Sequence, residues 1–417
     1  MTRTARKARL ATFALLLAAF AVAIGLAEIV LRVAGYSALH AMYSRPELFW
    51  RHDELLGWSL EPNAKGRFTG PRPYPVEFET TIETNSIGLR GPELGPRAQG
   101  EVRVLFLGDS FVAGFEVEQP ETFTALLERQ LARRLGRPVR TINAGVRGYG
   151  TDQSYLWFRE RGHALGADLV AAVFSANDFD DNVTLHRARR PFGKPAFALR
   201  PNGALELVGA PVPLYDVCSS VVLGADYDPT RIDGPLSRAA CFFQTRLADH
   251  SAVFTLVATS LGRLPGGVVG FLNSFTAPGN EEDARRARLG LWPFGWLRAD
   301  LAPGAAAPLS REARLQVEGE LTTALLQALA REVRVSGASF LLLMIPQHWE
   351  RVDTRALRAD GVEPRYVTLP DVIEPQQIRF TNDAHLNALG HRVYAEGLAP
   401  LLESALRARR PLAGPAR

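Results

Sequence analysis

Five residues, scattered along the chain, are of the types that together attack and release an ester: a serine, a glycine, an asparagine, an aspartate and a histidine. Ser110 lies in "VLFLGDSFVAG", where an apolar run meets Gly-Asp-Ser. Gly148 lies in "NAGVRGYG", Asn177 in "SAND", and Asp383 and His385 in "TNDAHLNALGH". A serine hydroxyl is a weak nucleophile until a neighbouring base takes its proton. Histidine is such a base near neutral pH, and a carboxylate fixes its tautomer and stabilises the imidazolium. The tetrahedral oxyanion needs donors already in place, and losing one lowers the rate about 100- to 1,000-fold. The backbone amides of Ser110 and Gly148 and the side-chain amide of Asn177 are the candidate donors, with Gly145 as the alternative glycine.

Each residue also has a plainer reading. Serine is a preferred helix N-cap. Asp109 reads as a turn residue bonded to nearby backbone. His385 alone would pass for a surface histidine, but Asp383 precedes it and a helix follows. His391 reads as structural or solvent-facing, and His348 as a loop residue or part of a pocket wall. Asp178 reads as a support for the Asn177 loop. Arg147 is either solvated or a partner for an anionic substrate. No Gly-Lys-Ser/Thr follows the first strand, and the glycine offsets fit no dinucleotide loop, which argues against a phosphate site. Val112 stands where a Gly-x-Ser-x-Gly elbow needs its second glycine, which argues against an α/β-hydrolase fold.

Periodicity predicts the elements that must carry these residues. "VRVLFLGDS", "VRTINAG", "ADLVAAVFSAND" and "ASFLLLMIPQ" read as buried strands, the first three running into the chemistry. "PETFTALLERQLARRLG" reads as a helix with Phe123, Leu126, Leu127, Leu131 and Leu135 on one face and Gly136 at its stop. "TDQSYLWFRERG" reads as a helix capped by Thr151 or Asp152. Further helices are predicted in "REARLQVEGELTTALLQALAREV" and "NALGHRVYAEGLAPLLESALRARR". Alternating strands and helices predict an α/β fold with a parallel sheet covered on both faces. Ligands in such sheets bind beyond the carboxyl ends of the strands, so topology draws the five residues to one rim.

Taken in order, "GDS", "NAGVRGYG", "SAND" and "DAH" resemble the four blocks of the SGNH (GDSL-like) serine hydrolases. The resemblance covers roughly residues 101–182 and 310–406. It implies a flavodoxin-like α/β/α sandwich with a central parallel sheet. It further implies Ser110 as nucleophile, Ser110, Gly148 and Asn177 as the oxyanion hole, His385 as base, and no metal or cofactor. Two departures stand out. Asn382 occupies the place three before His385 where many members carry aspartate. Asp383, two before it, is then the orienting acid, a spacing similar to that of the alginate O-acetylation proteins. Ser175 also replaces the usual glycine of the third block. The apolar start and "NSIGLRGPE" resemble the exported, single-span branch of the superfamily.

Composition bounds the rest. The chain has 417 residues, 47% hydrophobic and 22% charged, enough for a substantial core. A formal charge of +4, with arginines spread along the chain, predicts no nucleic-acid partner. Residues 1–9 form a basic tail and 10–34 an apolar membrane anchor, with the body extracytoplasmic (periplasmic or extracellular) by the positive-inside rule. A cleaved signal peptide, using "AVA" at 21–23, is the rival. Either way the body is exported. Residues 35–100 read as a β-rich lead-in, 183–309 as an insertion or cap, and 407–417 as a disordered tail. Cys218 and Cys241 are candidates for one disulfide in an exported protein. No Cys/His spacing suggests zinc. The expected function is a membrane-anchored serine esterase acting on ester or acylated-glycan substrates. The alternatives are an O-acyltransferase for a cell-surface glycan, using the same residues, and a non-catalytic glycan-binding protein on the same fold.

Overall fold

The computed structural model describes residues 3–34, 50–70, 76–183, 194–212, 251–254, 256–257, 311–345, 351–366 and 373–408. Cys218, Cys241 and His348 lie outside these residues, as do most of the insertion and the tail. The chain divides into two units, Met1–Tyr43 with Asp216–Gly279 and Ser44–Tyr215 with Asn280–Arg417.

The first unit contains α1 (Arg3–Val33), in which the 23 residues Ala11–Val33 are apolar and long enough to cross a bilayer. Glu28 breaks that apolar surface, but its carboxylate is fully engaged. It pairs with Arg32 and accepts hydrogen bonds from Ala252 N at 2.9 Å, Val253 N at 3.0 Å and Ser251 Oγ at 3.1 Å.

The second unit begins with two antiparallel hairpins, β1 (Trp50–Asp53) with β2 (Gly57–Leu60), and β3 (Lys65–Gly70) with β4 (Phe78–Glu83). In β4 the buried positions are Phe78, Thr80 and Ile82, as the alternating sequence requires of a strand with one polar face. Strand–helix alternation comes next: β5 (Val102–Gly108), α2 (Ser110–Ala113), α3 (Phe123–Leu135), β6 (Val139–Gly145), α4 (Thr151–Arg161), β7 (Leu169–Phe174) and α5 (Asp178–Asp181). A hairpin, β8 (Ala196–Leu199) with β9 (Leu205–Val208), precedes α6 (Arg311–Val335), β10 (Ser339–Met344), α7 (Thr354–Ala359), β11 (Pro364–Tyr366) and α8 (Ala388–Ala408).

β5, β6, β7, β10 and β11 form one parallel sheet in the spatial order β11-β10-β7-β5-β6. Counted along the chain from the β6 edge, that is the 2-1-3-4-5 order of flavodoxin-like folds. Every residue of β5 is buried, because helices cover both faces. Val104 and Phe106 join the core built with Phe123, Leu127 and Leu131 of α3 and Leu398 of α8. Leu105 and Leu107 join the opposite core, with Trp157 of α4, Leu325 of α6 and the hairpin residues Trp58 and Phe68. The predicted face of α3 is thus the buried one, with Leu126 and Leu135 partly buried at its margin.

The cap of α4 differs from expectation. Gly150 occupies that position, with its N–H donating to Gln153 Oε1 at 3.3 Å. Thr151 and Asp152 are committed elsewhere, the hydroxyl to Asp178 Oδ2 at 2.7 Å and the carboxylate to Lys194.

His391 in α8 is buried and does not face solvent. Its Nδ1 accepts the Phe123 N–H at 3.1 Å, and its ring stacks on Phe123 at 5.8 Å between centroids. Burial, reinforced by the positive charges of Arg90 and His385, pushes its pKa from 6.5 down to about 3. The folded state therefore holds a neutral imidazole that the unfolded chain protonates below pH 6.5. Stability is expected to fall as pH drops from 6.5 towards 3, with a slope near pH 5 of about 1.4 kcal/mol per pH unit from this group. Denaturant unfolding followed by tryptophan fluorescence at several pH values tests this, and His391→Asn should flatten the slope by about one proton.

Candidate active site

The serine turn starts where β5 ends. Asp109 caps α2, its Oδ1 accepting the Phe111 N–H at 2.9 Å. The capping role therefore falls on Asp109, and Ser110 is the first helical residue, whose N–H has no acceptor within a helix. The helix stops after four residues, and Arg90 fixes the segment beyond it. The Arg90 guanidinium is buried and donates to the carbonyls of Ala113 at 2.8 Å, Val117 at 2.6 Å and Gly114. Burial lowers the Arg90 pKa to about 10, against the raising pull of Glu116 and Glu118, so the group is still a cation at neutral pH.

The histidine loop is tied at both ends. Asn387 accepts the Gly390 N–H at 2.9 Å, which caps α8, and donates to Gln377 O at 2.8 Å and Arg379 O at 3.0 Å. Glu77 of the lead-in accepts Thr381 N at 3.1 Å, Asn382 N at 3.0 Å and Asn382 Nδ2 at 3.2 Å. Phe380 packs on Phe78 at 5.0 Å. Held this way, His385 presents Nε2 to Ser110 Oγ at 2.8 Å. Its Nδ1 meets Asp383 Oδ1, and that same oxygen accepts the His385 backbone N–H at 2.9 Å. Burial opposes ionisation of Asp383, but the His385 hydrogen bond and charge, with Arg147 nearby, outweigh it and hold the carboxyl below its usual 3.8. Asn382, three residues before the ring, is occupied by Glu77.

β6 and β7 flank β5 and carry the remaining candidates at their ends. Gly145, the alternative oxyanion donor, is a packing residue instead. Its N–H donates to Asn143 Oδ1 at 3.0 Å, and a Cβ there would lie 2.4 Å from Ala113 N. Gly148 has φ +82°, a left-handed backbone that glycine adopts without strain. Its loop is braced by the lead-in: Trp58 Nε1 donates to Arg147 O at 3.2 Å, and Tyr149 OH donates to Trp58 O at 2.5 Å. Asn177 donates from Nδ2 to Asp181 Oδ2 at 2.9 Å, which engages one of its two amide hydrogens. Ser175, in place of the expected glycine, puts its hydroxyl 2.7 Å from Asp109 Oδ2, 2.9 Å from Asn177 Oδ1 and 3.3 Å from Asp178 Oδ1. The substitution wires the serine turn to the Asn177 loop. Burial, and then the Asp109 charge, push the Asp178 carboxyl well above its usual range, against the Thr151 hydrogen bond.

One charged group at the site escapes a reading of the sequence. Glu116 is buried, with its side chain only 1% exposed, and its Oε1 lies 3.4 Å from His385 Nδ1. It pairs with Arg147, whose guanidinium also lies 5.0 Å from the Phe68 ring centroid. Arg147 is thus mostly withdrawn from solvent and committed to Glu116. The sequence signal for Glu116 is a lone acid in the apolar run "FVAGFEV". Glu116, Asp383 and His385 also bring one potential metal-donor atom each within 4.8 Å of one another. Arg147 already supplies the cation at Glu116, and the His385 Nδ1 is already bonded to Asp383.

The Glu77 clamp has a measurable consequence. Glu77→Ala is expected to raise amide exchange at Thr381 and Asn382 by about tenfold or more, as loss of hydrogen bonds to a charged acceptor implies. Hydrogen exchange read by mass spectrometry checks it, and exchange within β5 should not change.

Residues 106–218 match the GDSL-like Lipase/Acylhydrolase family, a span that includes Ser110, Gly148 and Asn177. A search of curated proteins found no match. Among solved structures, the chain is similar to an acetylxylan esterase from Geobacillus stearothermophilus, with 10% identity over 72% of this chain and 93% of that one and a TM-score of 0.31. It is also similar to a GDSL-like lipase from Bacteroides thetaiotaomicron VPI-5482, with 11% identity over 75% and 93% of the two chains and a TM-score of 0.28. The family match thus identifies residues 106–218 as similar to the GDSL-like lipases and acylhydrolases, which supports an ester-bond hydrolase.

Proposed function

We propose that this chain is an extracytoplasmic, membrane-anchored serine esterase that removes O-acyl groups. The observation that carries the reading is the 2.8 Å contact between Ser110 Oγ and His385 Nε2, with Asp383 on the opposite ring nitrogen. In this reading Ser110 Oγ attacks the acyl carbonyl as its proton passes to His385 Nε2. Asp383 holds the Nδ1–H tautomer and stabilises the imidazolium. The N–H groups of Ser110 and Gly148 and the Asn177 amide receive the oxyanion. His385 then returns the proton to the leaving alcohol, and water, activated by the same ring, releases the acid. Anchoring is supported by the apolar stretch of α1 behind Arg3, Arg6, Lys7 and Arg9, a charge pattern that keeps the N-terminus cytoplasmic.

Detergent-solubilised full chain is expected to hydrolyse p-nitrophenyl acetate and to react with a fluorophosphonate probe at Ser110, located by peptide mapping. Ser110→Ala should abolish labelling and reduce hydrolysis by about 1,000-fold or more. Labelling at another residue, or undiminished hydrolysis by the variant, would falsify the assignment. Adding an oligosaccharide acceptor separates the outcomes further: release of free acid supports an esterase, whereas acylated sugar identifies an acyltransferase.

A further inference from the structure

The imidazole of His385 is faced by two carboxylates, although one is enough to fix its tautomer. Asp383 comes from the ring's own loop, two residues upstream. Glu116 comes from the opposite side, six residues after Ser110, and reaches within 3.4 Å of the same Nδ1. Its burial is nearly complete, and its Oε2 has no hydrogen-bond partner among the described residues. An acid in that position is costly to the fold unless a cation compensates it. Arg147 does so from the glycine loop, through Oε1. Arg147 is itself confined by Phe68 and Phe115, at 5.0 and 5.9 Å from its guanidinium carbon. The charged and titratable groups around the ring include Asp383, Glu116 and Arg147, with Arg379 bonded to the Ala384 carbonyl and lying over the Phe111 ring that packs on His385, and Arg90 and His391 behind them.

We propose that Glu116, held by Arg147, is a second positioning acid for His385, able to take over the Nδ1 contact from Asp383. This rests on the esterase reading above. When Ser110 gives its proton to Nε2, the Nδ1 proton stays on the ring, and no proton moves to either carboxylate. Glu116 acts through charge and geometry alone. Its negative charge stabilises the imidazolium and so raises the basicity of the ring. Its position beside Nδ1 gives the ring an acceptor in the same orientation when Asp383 is absent.

The test compares Asp383→Ala, Glu116→Gln and the double variant with the parent and Ser110→Ala, all as full chains hydrolysing p-nitrophenyl acetate. Losing a sole triad acid lowers kcat by about 10,000-fold. With Glu116 in reserve, Asp383→Ala is expected to lose about 100-fold or less, and the double variant to fall to the level of Ser110→Ala. Glu116→Gln keeps the shape and removes the charge. It should move the acid limb of the kcat/KM–pH profile to lower pH by about half a unit or more, a shift that a merely structural role would not produce. An Asp383→Ala chain as inactive as Ser110→Ala overturns the proposal, as does an acid limb that stays in place in Glu116→Gln. Should Glu116→Gln fail to fold, the Asp383→Ala rate decides alone, since Asp383 is only partly buried. A parent chain with neither hydrolysis nor probe labelling overturns the esterase reading as well. A parent that hydrolyses normally beside a dead Asp383→Ala overturns only the role of Glu116.

Discussion

A single hydrogen bond sets the demands on this fold: Ser110 to His385, across 275 positions of chain. Each partner stands on a loop, and loops are the parts of a structure least able to hold a position alone. A displacement of about 1 Å is enough to lower catalysis about 100-fold. The lead-in before the sheet meets that demand. Arg90 gathers the carbonyls beyond the serine, Trp58 and Tyr149 brace the glycine loop, and Glu77 grips the histidine loop. Two small hairpins with the segment after them thus act as a frame for the rim, while the sheet supplies the alignment beneath it.

The second constraint is electrostatic. Asp109, Asp152, Asp178 and Glu116 are all buried close to the strand ends. Each has a different remedy. Asp109 receives a backbone N–H and the Ser175 hydroxyl. Asp178, pushed up by burial and by Asp109, takes the Thr151 hydroxyl. Asp152 is matched by the fully buried Lys194, which enters with the β8–β9 hairpin, yet burial still raises its carboxyl above the usual range. Glu116 is matched by Arg147. The rim is consequently a set of local charge pairs and shared hydrogen bonds, in which moving one loop exposes an acid on another.

Much of this is legible in the sequence. β5 is readable because a strand covered on both faces is apolar at every position, and α3 because its leucines repeat at helical spacing. Parallel topology then brings Ser110, the glycine loop and Asn177 to adjacent strand ends. What sequence cannot show are contacts made across the fold. Nothing in "PVEFETTIETN" says that Glu77 will meet a loop some three hundred residues later, since the pattern of a strand specifies its faces and not its partners. Thr151 and Asp152 are good caps by type, but tertiary partners claim both, leaving the position to Gly150. Arg147 looks solvated because exposure is the common fate of arginine, and only the buried Glu116 explains its retreat.

The order in which the chain is made gives the long separation another meaning. Synthesis supplies the Ser110 hydroxyl early and the His385 imidazole 275 positions later. At about 5–20 residues per second, that leaves a nascent polypeptide without the His385 ring for tens of seconds. In that interval the sheet can assemble through β10 and β11 before the Ser110–His385 contact forms. The loop ahead of α8 then brings in His385, so the contact closes on a sheet already in place.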